Sequence, residues 1–131
     1  MKQEYYKNYY QSQKSRHSKQ YSLKDIQEKA FNHYEEYQNI YSELINNAED
    51  ILEIGSGSGG FLKFINTFSS NKNIYSIERS EINLNFLKKE FQNVKYYNSI
   101  QELKNIKFDL IVAFGVFEHI RDPHSFLEEL K

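Results

Sequence analysis

The sequence predicts an α/β fold built on a parallel sheet, and three observations carry that prediction. Four short apolar runs, 50–54, 73–77, 94–97 and 108–114, alternate with stretches whose apolar residues recur every three or four positions. The first run passes directly into Gly55-Ser56-Gly57-Ser58-Gly59-Gly60 and then Phe61-Leu62-Lys63-Phe64-Ile65, which reads as strand, tight turn and helix start. The last run, Leu110-Ile111-Val112-Ala113, is apolar on both faces, as a strand inside a parallel sheet must be.

The elements follow in order. Residues 1–21 form a basic, Tyr-rich arm in which Tyr5, Tyr6, Tyr9 and Tyr10 have the spacing of one face of a short helix. A single domain is expected over 22–131. Ser22, with Asp25 three residues on, caps a helix running from Leu23 to about Asn47. Leu23, Ile26, Ala30, Tyr34, Tyr37, Tyr41 and Leu44 give it one apolar stripe. Asp50–Ile54 is the first strand. A helix over Gly59–Phe68 follows, with Phe61, Phe64, Ile65 and Phe68 on one side, then a loop over 69–72. Asn73–Ile77 is the second strand and ends at Glu78; Ser80 caps a helix to about Phe91; Val94–Tyr97 is the third strand. Ser99 and Glu102 have the spacing of a capping box on a short helix. Phe108–Phe114 is the fourth strand. Asp122-Pro123 opens a last helix with Phe126, Leu127 and Leu130 on its apolar side.

Composition removes several function classes. A formal net charge of −1 offers no general attraction to nucleic acid or to an anionic membrane, which argues against nucleic acid as a partner. The charge is nonetheless uneven: residues 1–24 carry six Lys/Arg against one acid, the remainder eleven against seventeen. The arm is thus either a solvated extension or a lid that contacts an anionic substrate. The absence of cysteine excludes disulfides, thiolate metal sites and Cys nucleophiles. No apolar run approaches the roughly 20 residues of a membrane span, and the N-terminus lacks the apolar centre of a signal peptide, so a cytoplasmic location is expected.

The glycine turn carries the chemistry. Gly55, Gly57 and Gly60 satisfy G-x-G-x-x-G, and Glu78 lies about twenty residues on, where a dinucleotide-binding fold places its ribose acid. An NAD-binding oxidoreductase is therefore one reading. Glu53 favours another. A carboxylate two residues before the first glycine repels a pyrophosphate and attracts an ammonium group, and no Lys or Arg lies in the turn to meet phosphate.

The turn resembles that of the class I S-adenosylmethionine-dependent methyltransferases. Glu78 at the end of the second strand extends the resemblance. So does the run from Phe108 through Phe114-Gly115-Val116-Phe117-Glu118-His119-Ile120, which looks like the fourth strand and following loop of the small-molecule type that includes ubiquinone-biosynthesis enzymes. The resemblance implies a Rossmann-like methyltransferase core with strand order 3-2-1-4 and helices on both faces, lacking the last three strands of the full fold. It implies S-adenosyl-L-methionine as cofactor and methyl transfer to a small-molecule acceptor at oxygen, such as a sugar, lipid precursor or quinone-like metabolite. It places Glu53, Gly55, Ser56, Gly57 and Gly59 along the methionine part of the cofactor, with Glu53 toward its amino group. Glu78 would take both ribose hydroxyls, Arg79 would lie beside the adenine, Asn98 or Ser99 would stand near the adenine amino group, and Phe114 would complete the contacts.

His119 is the candidate base for an oxygen acceptor, since a free imidazole titrates near neutrality and this fold puts its acceptor site after the fourth strand. Related O-methyltransferases with Glu-x-x-Glu-His in this loop bind magnesium. Gly115 replaces the first Glu here, and the two remaining ligands, Glu118 and His119, are too few for a hard cation, so no metal is expected. Asp109 is expected to be structural. A strand order of 3-2-1-4 would also leave Leu110–Ala113 as an exposed apolar edge. That edge implies self-association or a partner chain, or that the sequence is a truncated, non-catalytic cofactor-binding fragment.

Overall fold

The computed structural model of the protein describes residues 21–68 and 71–131. The Tyr-rich arm, with its predicted short helix, lies outside the described residues apart from Tyr21.

The first helix, α1 (Leu23–Glu36), opens on the predicted capping box: the Ser22 hydroxyl accepts the Asp25 N–H at 3.1 Å, and the Asp25 carboxylate accepts the Ser22 N–H at 3.0 Å. The helix does not run through to Asn47. It breaks at Tyr37 (φ −105°, ψ 21°) and restarts as α2 (Gln38–Asn46). The break corrects the single stripe predicted for this stretch. Ile26, Tyr37 and Leu44 are 46%, 45% and 53% exposed, whereas Gln27 and Ile45 are wholly buried. A continuous helix would have carried Tyr37, Tyr41 and Leu44 inward. The interruption re-aims α2 so that Tyr41, Ile45 and then Ala48 meet the core.

The four strands are β1 (Asp50–Ile54), β2 (Asn73–Ile77), β3 (Val94–Tyr97) and β4 (Leu110–Val112). All pairings are parallel and the order is β3-β2-β1-β4, as expected. The fourth strand is shorter than the predicted 108–114. Asp109 ends the ladder by taking the backbone N–H groups of Glu49 and Asp50, both at 2.9 Å, on one carboxylate oxygen. Those bonds hold its carboxyl below the ordinary range and tie the start of β1 to the start of β4. Leu110, Ile111 and Val112 are each half-buried at the sheet's edge, and among the described residues β4 pairs with β1 alone.

Alternation along β1 divides the interior in two. Ile51 faces a cluster with Phe61, Leu62, Phe64 and Ile65 of α3 (Gly60–Ile65), Ile45, Ile74, Val94, and Leu87 of α4 (Glu81–Glu90). Leu52 and Ile54 face the other cluster, with Tyr75, Ile77 and Leu103, flanked by Phe126 and Leu130 at α5 (Pro123–Glu129). Helix α3 is shorter than the predicted 59–68: Gly59 is its left-handed N-cap, and the Thr67 hydroxyl donates to the Phe64 carbonyl at 2.7 Å just past its end.

Close approach of α1 to α3 depends on Gly60. A Cβ there would lie 2.4 Å from Ala30 Cβ and 3.2 Å from the backbone of Ala30 and Phe31. Gly60→Ala is therefore expected to destabilise the fold by about 1–3 kcal/mol in chemical denaturation. Ala30→Gly in the same chain should restore part of the loss, because it removes the nearest atom.

Candidate functional site

The strand register places four side chains in one row across the helical face of the sheet, near its carboxyl ends: Tyr96 beside Ser76, Ser76 beside Glu53, Glu53 beside Val112. Strand order reverses direction at β1, with β2 and β3 on one side and β4 on the other, so the crevice above β1 and β4 is where an open parallel sheet binds ligands.

Glu53 is the unusual member of that row. It is 3% exposed, and its Oε2 has no hydrogen-bond partner among the described residues. Burial pushes its carboxyl up to about 8; a hydrogen bond with Ser56 works against that rise, and the nearby Glu78 charge adds to it. The Ser56 hydroxyl also lies 2.7 Å from that of Ser76. Burial, followed by the Glu53 charge, raises the phenols of Tyr34 and Tyr96.

Glu78 is held differently. Its Oε2 accepts the Gly57 N–H and its Oε1 the Ser80 N–H, both at 2.7 Å. Burial raises its carboxyl above the ordinary range, and bonds from Ser80, Gly57, Arg79 and the Asn83 side chain oppose the rise. One carboxylate thus clamps the turn after β1 to the turn after β2.

Gly57 supplies the floor of the turn. Its φ is +56°, and a Cβ on it would meet nothing among the described residues within 4 Å. The residues present fit an adenosyl amino acid cofactor on two counts: there is open space over Gly57, and a buried acceptor at Glu53 lacks a donor. The turn after β4 reaches the same place, since a Cβ on Gly55 would stand 2.7 Å from Val116 Cγ2. His119 lies three residues beyond, half-buried at the end of the 3₁₀ turn Phe117–His119, with its backbone N–H on the Val116 carbonyl at 3.0 Å.

The other predicted residues fall as follows. Ser56 is buried, and Gly59 caps α3. Arg79 and Asn98 are exposed. Ser99 is half-buried beside the 3₁₀ turn Ile100–Leu103, where the Glu102 carboxylate takes the N–H of Asn98 at 2.8 Å and of Ser99 at 3.1 Å. Phe114 packs its ring 4.9 Å from Phe61 and 5.1 Å from Tyr34. Among the described residues no three His, Asp or Glu cluster as metal ligands do.

Sequence reasoning missed Gln27, Ser76 and Asn83. Ser76 left a trace, a lone hydroxyl in the apolar strand Ile74-Tyr75-Ser76-Ile77, level with Glu53. Gln27 left none, being one polar residue in a largely polar helix.

Residues 26–131 match the family described as methyltransferase domain. The chain belongs to that family of class I S-adenosylmethionine-dependent methyltransferases. This membership favours the methyltransferase reading over the dinucleotide one. Among solved structures, EvdMO1 shares the fold at 20% identity and a TM-score of 0.58, over 77% of this chain and 25% of its own. A Bacillus cereus O-methyltransferase in complex with SAH shares it at 16% identity and a TM-score of 0.56, over 92% of this chain and 64% of its own. The chain thus spans a quarter to just under two thirds of these neighbours. No curated protein is similar enough to the sequence to count as a match. Among the described residues no helix is long and apolar enough to cross a membrane.

A carboxyl raised from its ordinary 4.5 to about 8 holds its proton more tightly folded than unfolded. Its contribution is complete below pH about 4.5 and is lost as pH rises toward 8. Thermal melts of the ligand-free protein should therefore show stability falling over that window. Glu53→Gln should flatten the decline and be the more stable protein at pH 8, by a few kcal/mol; Glu78 leaves a residual slope of the same sign.

Proposed function

We propose that the chain binds S-adenosyl-L-methionine over the Gly55–Gly59 turn and takes part in methyl transfer to the oxygen of a small-molecule acceptor. The observation that carries the reading is the buried Glu53 oxygen with no donor beside an open glycine floor. A ligand bearing an ammonium group supplies the missing donor and favours the ionised carboxyl. A pyrophosphate supplies neither and would add negative charge beside two buried acids. Family membership and the SAH complex of the Bacillus cereus neighbour support the same choice.

In this reading each residue has a role. Glu78, fixed by the Gly57 and Ser80 amides at the end of β2, receives the two vicinal ribose hydroxyls. Glu53 receives the ammonium end. Arg79, Asn98 and Ser99 stand after β2 and β3, on the adenine side in this reading, and Phe114 closes the site from β4. The cofactor supplies a methyl group already activated as a sulfonium, so the protein's task is chiefly to hold an acceptor in line with it. His119, carried by the turn that packs over Gly55, takes the proton of the acceptor hydroxyl as the new bond to carbon forms.

Titration calorimetry with SAH and with NAD tests the cofactor: SAH should bind and NAD should not, and preferential binding of NAD would overturn the reading. Glu78→Ala should weaken SAH binding by about 1–3 kcal/mol through the lost ribose hydrogen bonds. Gly57→Ala should also weaken it while leaving stability within about 1–2 kcal/mol of the parent, because its Cβ meets ligand rather than protein.

A further inference from the structure

Two buried side-chain atoms lack a hydrogen-bond partner among the described residues: Glu53 Oε2 and Gln27 Oε1. The cationic end of the cofactor accounts for the first. The second belongs to α1 and to no role assigned so far. Gln27 is wholly buried, and its Nε2 donates to the Ser58 carbonyl at 3.0 Å, inside the glycine turn. The same Nε2 stands 3.5 Å from where a Cβ on Gly59 would sit. Bonding to a carbonyl fixes which end of the carboxamide is nitrogen, so the oxygen is the end left without a donor. A buried acceptor in that condition weakens the fold unless something donates to it. The cation of α3 is committed elsewhere, since Lys63 pairs with Glu28.

With Glu53 ionised, both orphans are acceptors, and both belong to residues bonded to the same turn: Glu53 through Ser56, and Gln27 through Ser58. What they lack in common is a donor-rich group. An ammonium carries three N–H donors and complements one anionic and one neutral acceptor. We propose that Gln27 is a binding residue for the ammonium group of the cofactor's amino acid end: its Oε1 and Glu53 Oε2 each accept one N–H. Helix α1 thereby becomes a wall of the cofactor site, and its seating on the turn is completed by the ligand. The inference rests on the S-adenosylmethionine reading above.

The test is a cycle between protein and ligand. SAH and an analogue in which hydrogen replaces the α-amino group, with the carboxyl and thioether adenosine kept, are titrated into the parent protein and into Gln27→Met. The variant matches the side chain in length and removes its oxygen. The parent should prefer SAH, and Gln27→Met should lower that preference about tenfold, with the analogue's affinity moving much less. A preference for SAH that is absent in the parent overturns both the proposal and the role given to Glu53. A preference undiminished in the variant overturns the proposal alone and leaves the cofactor reading standing. It would mean that Gln27 only braces the turn, an effect both ligands feel equally. Failure of the parent to bind either ligand overturns both. Should Gln27→Met not fold, the Gln27 side-chain carbonyl carbon is followed by NMR in the parent protein. A shift with SAH but not with the analogue supports the contact, and the same response to both, or none, overturns it.

Discussion

Desolvation of one carboxyl group governs this site. Glu53 sits at the end of a parallel strand with its neighbours in register, Ser76 and Val112, offering one hydroxyl and one hydrocarbon face. The group is buried and no cation reaches it among the described residues, so it holds its proton to a pH well above that of an ordinary carboxylate. A fold optimised for stability alone would place an apolar residue there, as it does at Ile51, two positions earlier on the same face. The side chain makes sense as half of an interaction whose other half arrives with the ligand, and local inconsistency of this kind is what functional sites show.

Helical packing explains why the acid can be kept dry. Tyr34 of α1, Tyr41 of α2, Phe61 and Phe64 of α3 and Phe114 after β4 form one aromatic cluster on the Glu53 side of the sheet, with rings 4.9–6.3 Å apart in tilted and edge-on pairs. The cluster needs α1 pressed against α3, and that contact needs Gly60 bare of a side chain. It also needs Tyr41 turned inward, against Phe61 and Phe114. The glycines of the turn thus divide their work. Gly60 serves packing, because its missing Cβ makes room for Ala30, while at Gly57 the missing Cβ leaves space that no described residue fills, the space the proposed cofactor would take.

Much of this was legible in the sequence because it is local. The β1–turn–α3 unit, the end of β2 at Glu78, the caps at Ser22, Ser80 and Asp122, and the four-strand alternation each rest on residues adjacent in the chain. Strand order needed the resemblance, since periodicity alone does not say that β4 returns beside β1. The features that escaped are set by partners far away. Gln27 is polar among polar residues, and only the arrival of Ser58, thirty-one positions on, makes it a core residue. The helix break at Tyr37 has no glycine or proline to announce it; the demand of Ile45 and Ala48 for the core decides it. Phe108 and Ala113 have strand-like composition, yet they pack against the second cluster outside the ladder.

The same contrast separates the two ligand readings that the glycine pattern allows. Spacing of the kind found at Gly55, Gly57 and Gly60 reports backbone geometry, and a phosphate and a thioether both want a close, flat approach. Charge does what spacing cannot. Across the ends of β1 and β2 the side chains offer carboxyl and hydroxyl oxygens, from Glu53, Ser56, Ser76 and Glu78, and no cation from the turn itself. Two backbone amides of these turns, those of Gly57 and Ser80, are bonded to Glu78. Acceptor side chains of this kind suit a ligand that brings donors, as the proposed cofactor does with hydroxyls at one end and an ammonium at the other. The glycine turn makes the room, and the acids on either side decide what may enter it.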